Sequence, residues 1–287
     1  MKKLILLSVL FIFACSSDRM KKLMICLFII PLVAFSQTAV TKATDHFTYK
    51  ETADRNLKIY SFKPPTWEKR KQYPSIVFYF GGALIKRNLN QLENIAQEFS
   101  ENGYVAFLAD YRVKSRENVT ALDCISDARD AFAFVRKNAD RFALDDSKIT
   151  AFGYSSGGYL ASALGTLEDP IHGATSKPNS MILLAMGNPT KYRTTRWLGT
   201  SDLRPISPVD NINKETPAAL IFIGDKDYLL QIAKNFHKKM LENNRPAEFV
   251  LFEGKGHSFW MQNKKDAYFK EIFTKSIDFL NALNKQP

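Results

Sequence analysis

The chain has 287 residues, 45% hydrophobic and 24% charged, with a formal net charge of +11. This composition excludes a disordered, collagenous or disulfide-built protein and supplies enough apolar residues for one large core. Lys2, Lys3, Arg19, Lys21 and Lys22 against Asp18 put +4 of that charge in residues 1–36, and the lysines of the rest are too scattered for the aromatic-interleaved basic stripe of a nucleic-acid binder.

Two export-like segments stand in tandem at the N-terminus. Met1-Lys2-Lys3 precedes an apolar run ending at Ala14 and Cys15; Met20-Lys21-Lys22 precedes a second run ending in the small-x-small site Ala34-Phe35-Ser36. Neither run reaches the ~18 residues that span a bilayer. The first resembles a bacterial lipoprotein leader with Cys15 as the lipidated residue, departing from that pattern in the bulky Phe13. The second resembles a cleavable signal, which makes Met20 an alternative start. Residues 1–36 are therefore expected to be a leader. The chain is then exported to the periplasm or medium after a cut near Ser36, or lipid-anchored through Cys15, or held by a retained anchor. Cys26 also lies in this stretch, so Cys124 alone belongs to the remaining domain and no internal disulfide is available.

Residues 37–287 read as a single α/β domain. Residues 57–62 are strand-like, and 75–80 form an unbroken β-prone run of the kind a buried parallel strand needs. Residues 88–100 are predicted helical through Leu92, Ile95, Ala96 and Phe99, and 104–109 form the next strand. Residues 120–138 predict a strong helix with Thr120 and Asp123 as a capping pair. A strand at 148–154 runs into a helix of small residues at 156–166. Strands follow at 181–185, 219–223 and 249–252, with helices at 229–243 and 268–283. Alternation of this kind predicts a mostly parallel sheet with helices on both faces. Residues 187–217, with four prolines and no period, are expected to form a short cap-like insertion. Its Tyr192, Trp197 and Leu198 either line an acyl pocket or pack as core.

The sharpest motif is Gly153-Tyr154-Ser155-Ser156-Gly157, between a buried-looking strand and a helix. A nucleophilic serine on a tight strand-to-helix turn projects its hydroxyl from the strand end, and glycines two before and two after relieve crowding across that turn. Of the four histidines, His46 precedes the core, His172 follows Ser155 too closely, and His237 lies on a lysine-rich helix face. His257, in a glycine-containing loop after the last strand, is the candidate base. The acid is expected between serine and histidine. Asp227 follows the strand at 219–223 and is far enough around its turn to reach His257, with Asp225 as the other candidate. After the strand at 75–80, Gly81-Gly82-Ala83 offers unobstructed backbone N–H groups. With the N–H of Ser156 they would face a developing oxyanion.

Phe80-Gly81-Gly82-Ala83, the Gly-x-Ser-x-Gly motif, Asp227, His257 and Ile206-Ser207-Pro208-Val209 together resemble the α/β-hydrolase superfamily. Within it they resemble the esterase/lipase branch of hormone-sensitive-lipase-like and acetyl-xylan-esterase-like carboxylesterases, over roughly residues 55–285. The resemblance implies Ser155 as nucleophile, and Gly82 and Ala83 at the donor positions of the branch's His-Gly-Gly-Gly loop, here with Phe80 for the His and Ala83 for the last Gly. It implies hydrolysis of short-chain acyl esters, acetyl foremost, on a small-molecule or carbohydrate alcohol. No cofactor or metal is expected, and no nucleic-acid partner; a membrane is a partner only if Cys15 is lipidated. A serine peptidase of the same fold and a non-catalytic binding protein are the alternatives.

Overall fold

The computed structural model describes residues 40–188, 194–260 and 266–285. The leader, with Cys15, Met20 and Ser36, lies outside these residues, as does Tyr192.

The described chain runs through β1 (Asp45–Glu51), β2 (Asn56–Phe62), β3 (Tyr73–Tyr79), α1 (Glu93–Glu101), β4 (Val105–Ala109), the single turn α2 (Lys114–Glu117), α3 (Ala121–Lys137), the turn α4 (Ala139–Phe142), β5 (Leu144–Tyr154) and α5 (Ser156–Thr166). It continues through β6 (Ser180–Leu184), the turn α6 (Thr195–Leu198), β7 (Ala218–Gly224), α7 (Leu230–Glu242), β8 (Ala247–Phe252) and α8 (Ala267–Leu283). Eight strands form one sheet in the order β1-β2-β4-β3-β5-β6-β7-β8. Strands β3 to β8 are parallel to one another, whereas β2 lies antiparallel to both β4 and β1. This is the mostly parallel α/β sheet read from the sequence.

Burial explains the strand types. β4, β6 and β7 are buried along their whole length, and from Ser75 to Tyr79 β3 is too. A parallel strand covered by helices on both faces must be apolar throughout. Phe78 meets Phe152 of the neighbouring β5 and Phe99 of α1 at ring-centroid distances of 4.9 and 5.8 Å, which ties sheet to helix. Helix α3 begins on the expected cap: the Asp123 N–H donates to the Thr120 hydroxyl and the Thr120 N–H to the Asp123 carboxylate.

The edge strand β1 is an addition to the sequence reading. Its sequence Asp-His-Phe-Thr-Tyr-Lys-Glu has no apolar run, because an edge strand buries only alternate residues. Phe47 packs on Phe142 of α4, 5.2 Å between centroids, and the Tyr49 hydroxyl donates to the Asp110 carbonyl. Buried ion pairs secure this end of the sheet. The fully buried Asp127 of α3 accepts from Arg112 Nε and Nη2 at 2.8 and 2.9 Å and from Lys50 at 2.7 Å. Asp110 is held by Arg55 and Arg87.

The predicted helix over 88–100 divides into a 3-10 turn, Leu89–Leu92, and α1. In the irregular segment, residues 194–217 form α6 and two 3-10 turns, Arg204–Ile206 and Pro208–Asn211. Trp197 and Leu198 are buried in the core there. The Tyr159 hydroxyl of α5 donates to the Ile206 carbonyl at 2.8 Å and fastens the segment to the helix behind Ser155.

Candidate active site

Ser155 stands between β5 and α5 with φ 54° and ψ −118°, a conformation that side-chain-bearing residues rarely adopt. Two backbone bonds hold it there: its N–H donates to the Leu184 carbonyl at 2.9 Å, and its carbonyl accepts from the Gly187 N–H at 2.8 Å. The flanking glycines are required by space. A β-carbon at Gly153 would lie 2.0 Å from the Gly157 carbonyl oxygen, and one at Gly157 would lie 1.9 Å from the Tyr79 carbonyl oxygen. These are backbone atoms that cannot step aside, so the turn closes only around glycine.

Three side chains far apart in sequence meet at the carboxyl ends of β5, β7 and β8. His257 Nε2 is 2.9 Å from Ser155 Oγ, and His257 Nδ1 is 2.9 Å from Asp227 Oδ2. The second Asp227 oxygen accepts the Leu229 N–H at 2.9 Å, so both carboxylate oxygens are fixed. The Asp227 side chain is fully buried, while that of His257 is 19% exposed. A carboxylate placed in this way keeps the imidazole proton on Nδ1 and leaves Nε2 free to accept from the serine. Asp225, the other candidate on the turn, has Lys226 Nζ 3.8 Å away and no ion pair with His257 among the described residues. The remaining histidines are engaged elsewhere. His46 of β1 lies against Tyr60 of β2, His172 is 2.6 Å from Asp130, and His237 is 3.3 Å from the Ala247 carbonyl.

The loop after β3 reaches the same point. A β-carbon at Gly81 would lie 3.1 Å from Ser155 Cβ, so this backbone abuts the serine. The Gly81 N–H is taken by the Gln91 side chain at 2.7 Å. Gly82 and Ala83 both have positive φ, 137° and 57°, and the Gly82 carbonyl accepts from Ile85 and Lys86 at 2.9 Å. Their N–H groups have no acceptor among the described residues. Ser156 is the first residue of α5, where N–H groups lack intrahelical partners. Gly82 and Ala83 thus follow directly on the Gly81 backbone that abuts Ser155, and the Ser156 nitrogen lies 3.4 Å from where a β-carbon at Gly187 would be.

Sequence reading missed three residues. The Tyr154 hydroxyl donates to the His257 carbonyl at 3.0 Å, and its ring lies 5.4 Å from the imidazole, so the residue beside the serine also holds the histidine loop. Gln91 anchors the Gly81 backbone. Tyr228, next to Asp227, packs its ring 4.8 Å from that of His257. Only proximity to the motif residues marked Tyr154 and Tyr228 in the sequence; nothing marked Gln91. Among the described residues no group of three His, Cys, Asp or Glu side chains could hold a metal ion.

A family model described as BD-FAE matches residues 58–181. The chain is similar to the esterase 2 of Thermogutta terrifontis, with 30% identity and a TM-score of 0.78 over 85% of this chain and 93% of that one. It is 23% identical over 190 residues to a probable 2-oxo-3-(5-oxofuran-2-ylidene)propanoate lactonase of a Bradyrhizobium species, 62% of this chain and 70% of that protein. It is 24% identical over 218 residues to esterase LipC of Mycobacterium tuberculosis, 66% of this chain but only 54% of LipC.

Proposed function

The chain belongs to the esterase/lipase branch of the α/β-hydrolase superfamily, and from that membership we propose that it is a serine carboxylesterase acting through an acyl-enzyme on Ser155. The observation that supports this reading above all is the unbroken hydrogen-bond path from Asp227 through His257 to Ser155 Oγ. In the first step His257 Nε2 takes the Ser155 proton as Oγ bonds to the ester carbonyl carbon. The carbonyl oxygen becomes an oxyanion facing the N–H groups of Gly82, Ala83 and Ser156. Asp227 stabilises the imidazolium. The carbon–alkoxide bond then breaks and the leaving oxygen takes the proton from His257. Water repeats the sequence on the acyl-enzyme, giving the acid and free Ser155.

The acyl group in this reading is short, acetyl first, and the alcohol a small molecule or carbohydrate. Structures of the Thermogutta esterase hold propionate and butyrate. Residues 194–217 hold only single helical turns and no longer helix. That esterase is also phosphorylated by paraoxon, which accords with a serine nucleophile here. The two basic-then-apolar segments at the N-terminus support export to the periplasm or medium, with lipid attachment at Cys15 the other route. Mass spectrometry of the mature N-terminus distinguishes a cut near Ser36 from a lipidated Cys15.

The test is hydrolysis of p-nitrophenyl acetate, butyrate and octanoate by wild type and Ser155→Ala. The reading expects rates that fall with chain length and the loss of nearly all turnover in the variant. Faster turnover of octanoate would point to a lipase. Cleavage of a peptide p-nitroanilide without ester turnover would point to a peptidase.

A further inference from the structure

Resting on the esterase reading, we infer that Tyr111 and Gln91 are positioning residues of the oxyanion hole: they hold the Phe80–Gly81 amide from its two sides and, through the backbone, fix the N–H groups of Gly82 and Ala83.

Both bonds fall on one peptide unit. The Tyr111 hydroxyl donates to the Phe80 carbonyl, and Gln91 Oε1 accepts from the Gly81 N–H, each at 2.7 Å. The carbonyl of residue 80 and the N–H of residue 81 belong to the same planar amide, and in a trans amide they point in opposite directions. The unit is gripped on both sides, so turning it stretches both bonds at once. The next two N–H groups along the chain are those of Gly82 and Ala83, which have no acceptor among the described residues.

The loop cannot hold this shape by itself. A β-carbon at Gly81 would lie 2.8 Å from Tyr154 Cδ1 and 3.1 Å from Ser155 Cβ. One at Gly82, where φ is 137°, would lie 2.1 Å from the Lys86 carbonyl oxygen. Both positions are confined to glycine, whose backbone is the least restrained of any residue. The Phe80 side chain offers no hydrogen bond. A donor lowers the barrier only when it already points to where the oxyanion develops, so the order must come from outside the loop.

Both anchors are themselves fixed. The parallel register of β3 on β4 pairs Tyr79 with Ala109, so the chain leaves the sheet at Phe80 beside the stretch that carries Tyr111. The two rings are buried and stack 4.0 Å apart, 10° from parallel. Asp110, next to Tyr111, is held by Arg55 and Arg87, and Arg55 Nη2 donates to the Tyr111 carbonyl at 3.3 Å. Burial pushes the Tyr111 phenol well above its ordinary range, so the hydroxyl keeps the proton it donates. Gln91 lies in the 3-10 turn Leu89–Leu92, and its bond closes the loop onto its own start, ten residues earlier.

The experiment measures kcat and KM on p-nitrophenyl acetate, Ki for trifluoroacetophenone, and Tm. Ser155 Oγ bonds to the ketone carbon as its proton passes to His257, and the ketone oxygen becomes an oxyanion with no leaving group to expel. Ki therefore reads the oxyanion hole. Tyr111→Phe keeps the stacked ring and loses the hydroxyl; Gln91→Leu keeps the bulk and loses the acceptor. Each should lower kcat about tenfold, less than the roughly 10²–10³ lost with an oxyanion donor itself, with KM near wild type and Ki raised by the same factor. Tyr79→Phe is the comparison. Its hydroxyl donates to the Ala128 carbonyl of α3 at 3.0 Å, a buried bond of the same kind away from the loop amide. This variant should lose Tm and keep wild-type kcat and Ki. Gln91 is half-buried, so Gln91→Leu reads the same amide even where Tyr111→Phe fails to fold. Wild-type kcat and Ki in either clamp variant, a loss of kcat without a rise in Ki, or an equal loss in Tyr79→Phe overturns the assignment and leaves the esterase reading standing. A wild type inert on the ester and untouched by the ketone overturns both.

Discussion

Replacing Asp227 by Asn changes one atom in a fully buried side chain and inverts the hydrogen-bond logic of the site. The carboxylate now accepts twice, from the Leu229 N–H and from His257 Nδ1, each at 2.9 Å. An Asn keeps the Leu229 bond through its carbonyl oxygen and turns its NH₂ group toward Nδ1. Two N–H groups cannot share that contact, so Nδ1 becomes the acceptor and the ring proton moves to Nε2. Nε2 is the atom 2.9 Å from Ser155 Oγ that must take the serine proton. The expected loss in kcat is about 10⁴-fold, or ~5.5 kcal/mol of transition-state stabilisation, with little change in thermal stability because size and one hydrogen bond are retained. Steady-state hydrolysis of p-nitrophenyl acetate reads the loss directly. Asp225→Asn, which among the described residues pairs only with Lys226 at 3.8 Å, should turn over close to wild type. A loss below about tenfold in Asp227→Asn, or a larger loss in Asp225→Asn, would refute the assigned tautomer and its cause.

Further outcomes follow from the packing around the site. Gly157→Ala forces a β-carbon to within 1.9 Å of the Tyr79 carbonyl oxygen. It should cost at least about 1–3 kcal/mol, read as a fall in Tm of roughly 2–4 °C per kcal/mol by calorimetry. Burial, followed by the nearby Asp127 and Asp123 carboxylates, pushes the Cys124 thiol well above its usual range, and its Sγ donates to the Arg112 carbonyl. The Cys124 peptide should therefore escape iodoacetamide in the native protein and be labelled in denaturant. For Asp123, burial works to raise the carboxyl, but hydrogen bonds from the Thr120 hydroxyl and N–H, with Arg112 nearby, outweigh it and hold the carboxyl below its ordinary value. Its contribution is present above the unfolded pKa of about 3.9 and is lost as pH falls through the depressed folded value. Melting curves of wild type and Asp123→Asn should differ at neutral pH and converge in strong acid.

How much of this was legible in the sequence depended on whether a residue's role is local. β3, β4, β6 and β7 announced themselves because strands covered on both faces have no polar alternation to confuse the pattern. β1 was illegible because only Phe47 and Tyr49 of its seven residues pack inward, and charged neighbours mask them. The elbow glycines and Ser155 were readable because the turn they build is a contiguous motif, although only the Gly153 collision, with Gly157, is local and the Gly157 collision is with Tyr79 of β3. Asp227 and His257 were readable from chain order relative to the strands, although only the geometry separates Asp227 from Asp225. The Tyr154 bond to the His257 carbonyl spans 103 residues and leaves no local mark. Trp197 and Leu198 could be pocket or core in a segment without period; the structure buries both.

Every step of the account passes through the hydroxyl of Ser155, and covalent labelling tests it most directly. Treated with paraoxon, the wild-type protein should lose esterase activity as one diethylphosphoryl group is added. Peptide mass spectrometry should locate that group on Ser155, and Ser155→Ala should neither take up the label nor hydrolyse esters. A label on another residue that accompanies inactivation, or an alanine variant that retains turnover, would contradict the account.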